Sequence, residues 1–66
     1  MGMKNVWDLQ PGEVAVIDDK KYVFKCDFMK NMPTLGRVPN RELVNISDPK
    51  DTLLFYRGIE VEVISK

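Results

Sequence analysis

The 66-residue chain has no histidine, a single cysteine (Cys26) and a single tryptophan (Trp7). Without histidine, the commonest general base and the commonest metal ligand are both missing. One cysteine with no histidine excludes a closed thiolate zinc site and a Cys-His nucleophilic pair within one chain. Cys26 also lacks a partner for an internal disulfide. No apolar run approaches the roughly 20 residues that span a bilayer, and the start shows no basic segment followed by an apolar stretch. Val6 stands where a myristoylation signal wants Ser or Thr. A glycine-rich phosphate loop is missing too, since Leu35-Gly36-Arg37-Val38-Pro39-Asn40 holds one glycine. These absences lead to the expectation of a cytoplasmic protein with no cofactor and no resident metal.

What is present suits one small soluble domain, expected over residues 3–66. Hydrophobic residues make up 44% and charged residues 30%, enough apolar surface for a modest core and too little chain for a deep, enclosed cavity. Ten basic side chains balance ten acidic ones, which argues against nucleic acid as a partner. The balance is uneven along the chain. Residues 20–41 carry six bases (Lys20, Lys21, Lys25, Lys30, Arg37 and Arg41) against Asp27 alone, and acidic segments flank them.

Period-2 alternation dominates the pattern. In Ile59-Glu60-Val61-Glu62-Val63 the aliphatic residues are expected to face a core and the glutamates water. Leu53-Leu54-Phe55-Tyr56 precedes it, and Arg57-Gly58 joins the two either as a hairpin or as one strand bent at Gly58. Val14, Val16 and Ile17 mark a strand over residues 13–18, introduced by a Pro11-Gly12 turn of type II chemistry. Residues 22–25 and 41–46 read as further strands, set off by Asp18-Asp19-Lys20-Lys21 and by Ser47-Asp48-Pro49-Lys50-Asp51. Residues 27–36 read differently. Asp27 suits an N-cap, Phe28, Met32 and Leu35 fall at i, i+4 and i+7, Pro33 bends or frays the turn, and Gly36 ends it. The sum is an all-β fold, a small SH3-like barrel of about five short strands with one short helical turn, closed to hide its edges. Trp7 is expected to plug one end.

Carboxylates are the only hard ligands. Asp18 with Asp19, and Asp48 with Asp51, read as turn residues bonding their own backbone rather than as a cation site. Cys26 reads as a small half-buried hydrophobe. A flexible, exposed methionine is a common device at adaptable contact surfaces, and Met29 lies beside the basic stretch. Met29, Lys30 and Arg37 are therefore the expected partner-binding patch.

Three stretches in order resemble the FeoA family. Val6-Trp7-Asp8-Leu9-Gln10-Pro11-Gly12-Glu13-Val14-Ala15-Val16-Ile17 is similar to its opening. Leu35-Gly36-Arg37-Val38-Pro39-Asn40-Arg41-Glu42-Leu43 resembles its Leu-Gly-x-x-Pro-Gly segment leading into a strand, with Asn40 at the second glycine. Leu53-Leu54-Phe55-Tyr56-Arg57-Gly58-Ile59-Glu60-Val61 looks like its strand, Arg-Gly, strand ending. The resemblance implies a non-enzymatic accessory of ferrous iron uptake that docks on the cytoplasmic GTP-binding part of the FeoB transporter. A metal-binding or metal-sensing SH3-like module is the alternative. An enzyme is not expected, because no acid, base and nucleophile set is available.

Overall fold

The computed structural model describes residues 2–64. It is mostly strand: β1 (Gly2–Asn5), a 3-10 turn (Val6–Asp8), β2 (Val14–Ile17), β3 (Lys20–Met32), β4 (Gly36–Asn45), β5 (Asp48–Phe55) and β6 (Glu60–Ile64). All six strands form one antiparallel sheet in the order β1-β6-β2-β3-β4-β5. β2 to β5 form a meander, and the chain then crosses to the other edge, where β6 lies between β1 and β2.

Each meander turn follows from local chemistry. Asp18 and Asp19 both have positive φ, 53° and 63°, between the paired residues Ile17 and Lys20. That is the left-handed two-residue turn whose twist matches the flanking strands. Gly12 has φ 92°, which fits the third position of the Pro11-Gly12 turn. At the end of β4, the Asn45 side chain accepts from the Ser47 N–H at 2.8 Å, and that of Asp48 from the Lys50 N–H at 3.0 Å. Asp18, Asp19 and Asp48 thus serve as turn formers.

One face of the sheet curls around the core, made of Val6, Leu9, Ala15, Tyr22, Leu43, Val61 and Val63, with Trp7, Ile17, Phe24, Leu53 and Phe55 packed against it. Val61 and Val63 are buried as their alternation requires, whereas Ile59 lies ahead of β6 and is 42% exposed. The opposite face carries a row of β-branched residues in register across five strands: Ile64, Val14, Val23, Val44 and Thr52. Such cross-strand pairs stabilise a sheet even where one side meets water.

Two expectations need correction. The first is the short helical turn at residues 27–36: Asp27 to Met32 is the second half of β3, and Gly36 opens β4. Pro33-Thr34-Leu35 is the loop between the paired residues Met32 and Gly36, and Gly36 has φ 76°. Glycine in that conformation after a three-residue loop is a hairpin device, so Pro33 starts a turn instead of bending a helix. The only 3-10 turn among the described residues is Val6–Asp8, where the Asn5 side chain accepts from the Trp7 N–H at 2.9 Å. The second concerns closure. β1 and β5 remain the two edges, with no ladder joining them among the described residues, so the sheet is all-β and curled but open. Arg57 and Gly58 belong to the crossover, and β5 and β6 form no hairpin. Gly58 leaves room there for the Asn5 side chain: a Cβ at that position would stand 2.7 Å from the Asn5 Nδ2 atom, which would have to move.

Candidate functional site

β3 pairs with β2 only as far as Val23, and β4 meets β5 only from Arg41 onward. Beyond those points the two strands continue together as a two-stranded arm, Asp27–Met32 against Gly36–Arg41. It lengthens the molecule, which measures 35 × 24 × 20 Å. The radius of gyration is 12.0 Å, against about 11 Å for a compact chain of this length.

The arm's side chains fall on two faces. Asp27, Met29, Asn31, Arg37, Pro39 and Arg41 share the face that continues the core side, because these residues pair directly. Phe28, Lys30, Met32, Val38 and Asn40 share the other. Phe28 is 36%, Met29 48% and the tip residue Leu35 48% exposed. Met29, Lys30 and Arg37 all lie on the arm and all are exposed, with Met29 and Arg37 on one face and Lys30 on the reverse.

The arm's root is held by Arg41. Its Nη1 donates to the carbonyls of Val6, Trp7 and Leu9 at 3.2, 3.1 and 3.0 Å. Its Nε and Nη2 form a fork onto the Asp27 carboxylate at 2.8 and 3.0 Å. The guanidinium lies 5.2 Å from the centre of the Trp7 ring and 4.6 Å from that of Phe24. One side chain therefore fastens the 3-10 turn, the loop after it and the foot of the arm. The hydrogen bonds from Arg41 hold the Asp27 carboxyl below its usual range, and Asp27 raises Arg41 in return. Sequence alone counted Arg41 among six bases of a charged segment and missed this role. Trp7 is half-buried beneath the guanidinium and packs against the core.

A second group of polar side chains is tied into the fold around Asp51. The Tyr22 hydroxyl donates to Asp51 Oδ2 at 2.8 Å, and the Asn45 amide donates to the same oxygen at 3.1 Å. These two bonds lower the Asp51 pKa, and the bond to Asp51 raises that of Tyr22. Asp51 is thus a strand residue fastening Tyr22. Beside it, Asp19, Lys20, Lys21, Asn45 and Ser47 line a shallow recess of about 320 Å³, open to solvent. Cys26 is half-buried, with its Sγ 3.5 Å from Glu42 Oε1, and burial followed by that contact pushes the thiol pKa up. A raised pKa makes a poor nucleophile. Among the described residues, no group of three or more His, Cys, Asp or Glu is placed to hold a metal ion. No helix among them is long and apolar enough to cross a membrane.

No family model, no curated protein and no solved structure matches this chain.

Proposed function

We propose that the chain is a non-enzymatic interaction module that docks on a larger protein through the β3–β4 arm. The observation that carries this reading is the arm itself. A two-stranded ribbon is marginal when unsupported, and this one displays Phe28, Met29 and Leu35 to solvent with no neighbouring element among the described residues to cover them. Met29, Lys30 and Arg37 are its contact residues, and their division between two faces means that a partner engaging all three grips the ribbon from both sides.

In the specific form implied by the FeoA resemblance, the partner is the cytoplasmic domain of the FeoB transporter and the chain is a cytoplasmic accessory of ferrous iron uptake. An SH3-like barrel left open between β1 and β5 is the finer form of the fold in this reading. Both rest on the three motif stretches. The test is an NMR titration of isotope-labelled chain with the soluble FeoB domain of the same organism, with and without guanine nucleotide. Shifts gathered on residues 27–41 are expected. An unchanged spectrum at millimolar partner refutes the FeoB assignment, and shifts confined to the β1–β6 side refute the arm as the docking element.

A further inference from the structure

The arm has two free edges among the described residues, the β2 side of β3 and the β5 side of β4, and they are unequal. Pro39 has no N–H, so its pair with Met29 belongs to the non-hydrogen-bonded class, which alternates with the hydrogen-bonded class along an antiparallel ladder. Ladder bonds therefore join Phe28 with Asn40 and Lys30 with Val38. The N–H and C=O groups of Asp27, Met29 and Asn31 point away from β4, toward the free edge of β3. On the opposite edge the outward groups belong to Arg37 and Pro39, and proline offers no donor, which blunts that edge against strand addition. The β3 edge has no such block.

We propose that the β3 edge of the arm pairs antiparallel with the same edge of a second copy, about a two-fold axis at Met29. An isologous pair of this kind keeps each face of the sheet continuous, which limits the registers. Centring on Lys30 sets two ammonium groups opposite each other and is disfavoured. Centring on Phe28 sets Asp27 against the Met29 thioether and Cys26 against Lys30. Centring on Met29 satisfies every position. Met29 meets Met29 of the second copy, and the Asp27 carboxylate meets the Asn31 amide on either side. On the reverse face each Lys30 ammonium lies against a Phe28 ring. Three of these opposed pairs use the outward backbone groups of both copies, each exchanging two hydrogen bonds. The outcome is a four-stranded sheet made of two arms, with a Pro39 on each outer edge, so pairing stops at two copies. The interface is small, and the dimer is weak and reversible. This inference needs no other protein and stands apart from the docking proposal.

Sedimentation velocity over a concentration series tests it on the full chain alone. A reversible monomer–dimer equilibrium is expected. Met29→Pro removes one outward donor and leaves every bond to β4 in place, as Pro39 does across the ladder. It is expected to weaken the dimer by about tenfold or more, with the β4–β5 amide resonances unchanged. A second measurement covers the case in which that variant disturbs the arm. In a Cys26→Ser background, Met29→Cys is expected to form an intermolecular disulfide on oxidation, since directly opposed residues have Cα atoms within disulfide reach. Lys30→Cys, displaced along the ladder from its own copy, is expected to cross-link far more slowly. A strictly monomeric chain at millimolar concentration, or equal cross-linking at the two positions, overturns the proposal.

Discussion

Replacing Arg41 by lysine keeps the positive charge and removes the planar fork, so it isolates what the geometry contributes. Three carbonyls converge on Nη1. That nitrogen has two hydrogens, and the set is equivalent to about two charge-assisted bonds, or about 3 kcal/mol in all. The Asp27 side chain is 44% exposed, so the ion pair itself adds little. The stacked rings add about 0.5–1 kcal/mol each, part of which an ammonium retains. An ammonium at this site reaches either the carbonyls or Asp27, but not both, and Arg41→Lys is expected to cost about 2 kcal/mol and Arg41→Ala about 3–4 kcal/mol. Chains of this size are stable by about 3–10 kcal/mol, so the alanine variant approaches global unfolding. Urea unfolding followed by Trp7 fluorescence measures the loss directly, because Trp7 lies beneath the guanidinium. The exposed Arg37→Lys change serves as control and is expected to stay within about 0.5 kcal/mol of the parent. If Arg41→Lys also stays within that margin, Arg41 is not the fastening described here.

Three further outcomes follow from the same structure. Gly58→Ala forces the Asn5 amide to move and weakens its cap on the Trp7 N–H, with an expected loss of about 1 kcal/mol by thermal unfolding; an unchanged midpoint would show the crossover to be looser than described. Asp19→Gly places in the left-handed turn the residue that it favours and is expected to raise stability by about 0.5–1 kcal/mol, so a drop in the urea midpoint contradicts the turn geometry. Asp27 and Asp51 have folded pKa values below their unfolded ones, so their stabilisation is present above about pH 4 and lost as pH falls through the folded values. Asp51→Asn is expected to flatten the acid limb of the stability–pH curve, and an acid limb as steep as the parent's argues against the bonds from Tyr22 and Asn45.

The sequence pattern was readable wherever one side of a strand is buried and the other wet. Glu60-Val61-Glu62-Val63 states its facing in its own alternation, and the Pro11-Gly12 and Asp18-Asp19 turns are written in residue types with particular backbone angles. The arm hid itself for the opposite reason. Most of both faces is exposed, with Asn40 buried near the root, so no alternation marks it, and Phe28, Met32 and Leu35 coincide with a helical spacing by chance. A signal was there in Pro33-Thr34-Leu35-Gly36, a three-residue hairpin loop followed by glycine, and it reads correctly only when Pro33 is taken as a turn former. The opening strand β1 was equally silent, being a short edge segment that β6 recruits. Arg41 was beyond local reach, because its carbonyl partners lie more than thirty positions away in the chain. Met29, Lys30 and Arg37 are grouped in the sequence as an exposed methionine beside a basic stretch, next to a helical turn that does not form. They remain neighbours because a hairpin also brings residues 29–30 and 37 together.

Docking and self-pairing both depend on residues 27–41 being an extended, exposed ribbon in this register. The most direct measurement is the pattern of short interproton contacts in the free chain in solution. Non-hydrogen-bonded antiparallel pairs bring their Cα atoms to about 4.5 Å. Strong Hα–Hα contacts are therefore expected between Asp27 and Arg41, Met29 and Pro39, and Asn31 and Arg37. Sequential amide–amide contacts through Phe28 to Leu35, with the cross-strand set missing, would mean a helical segment there and would contradict the account.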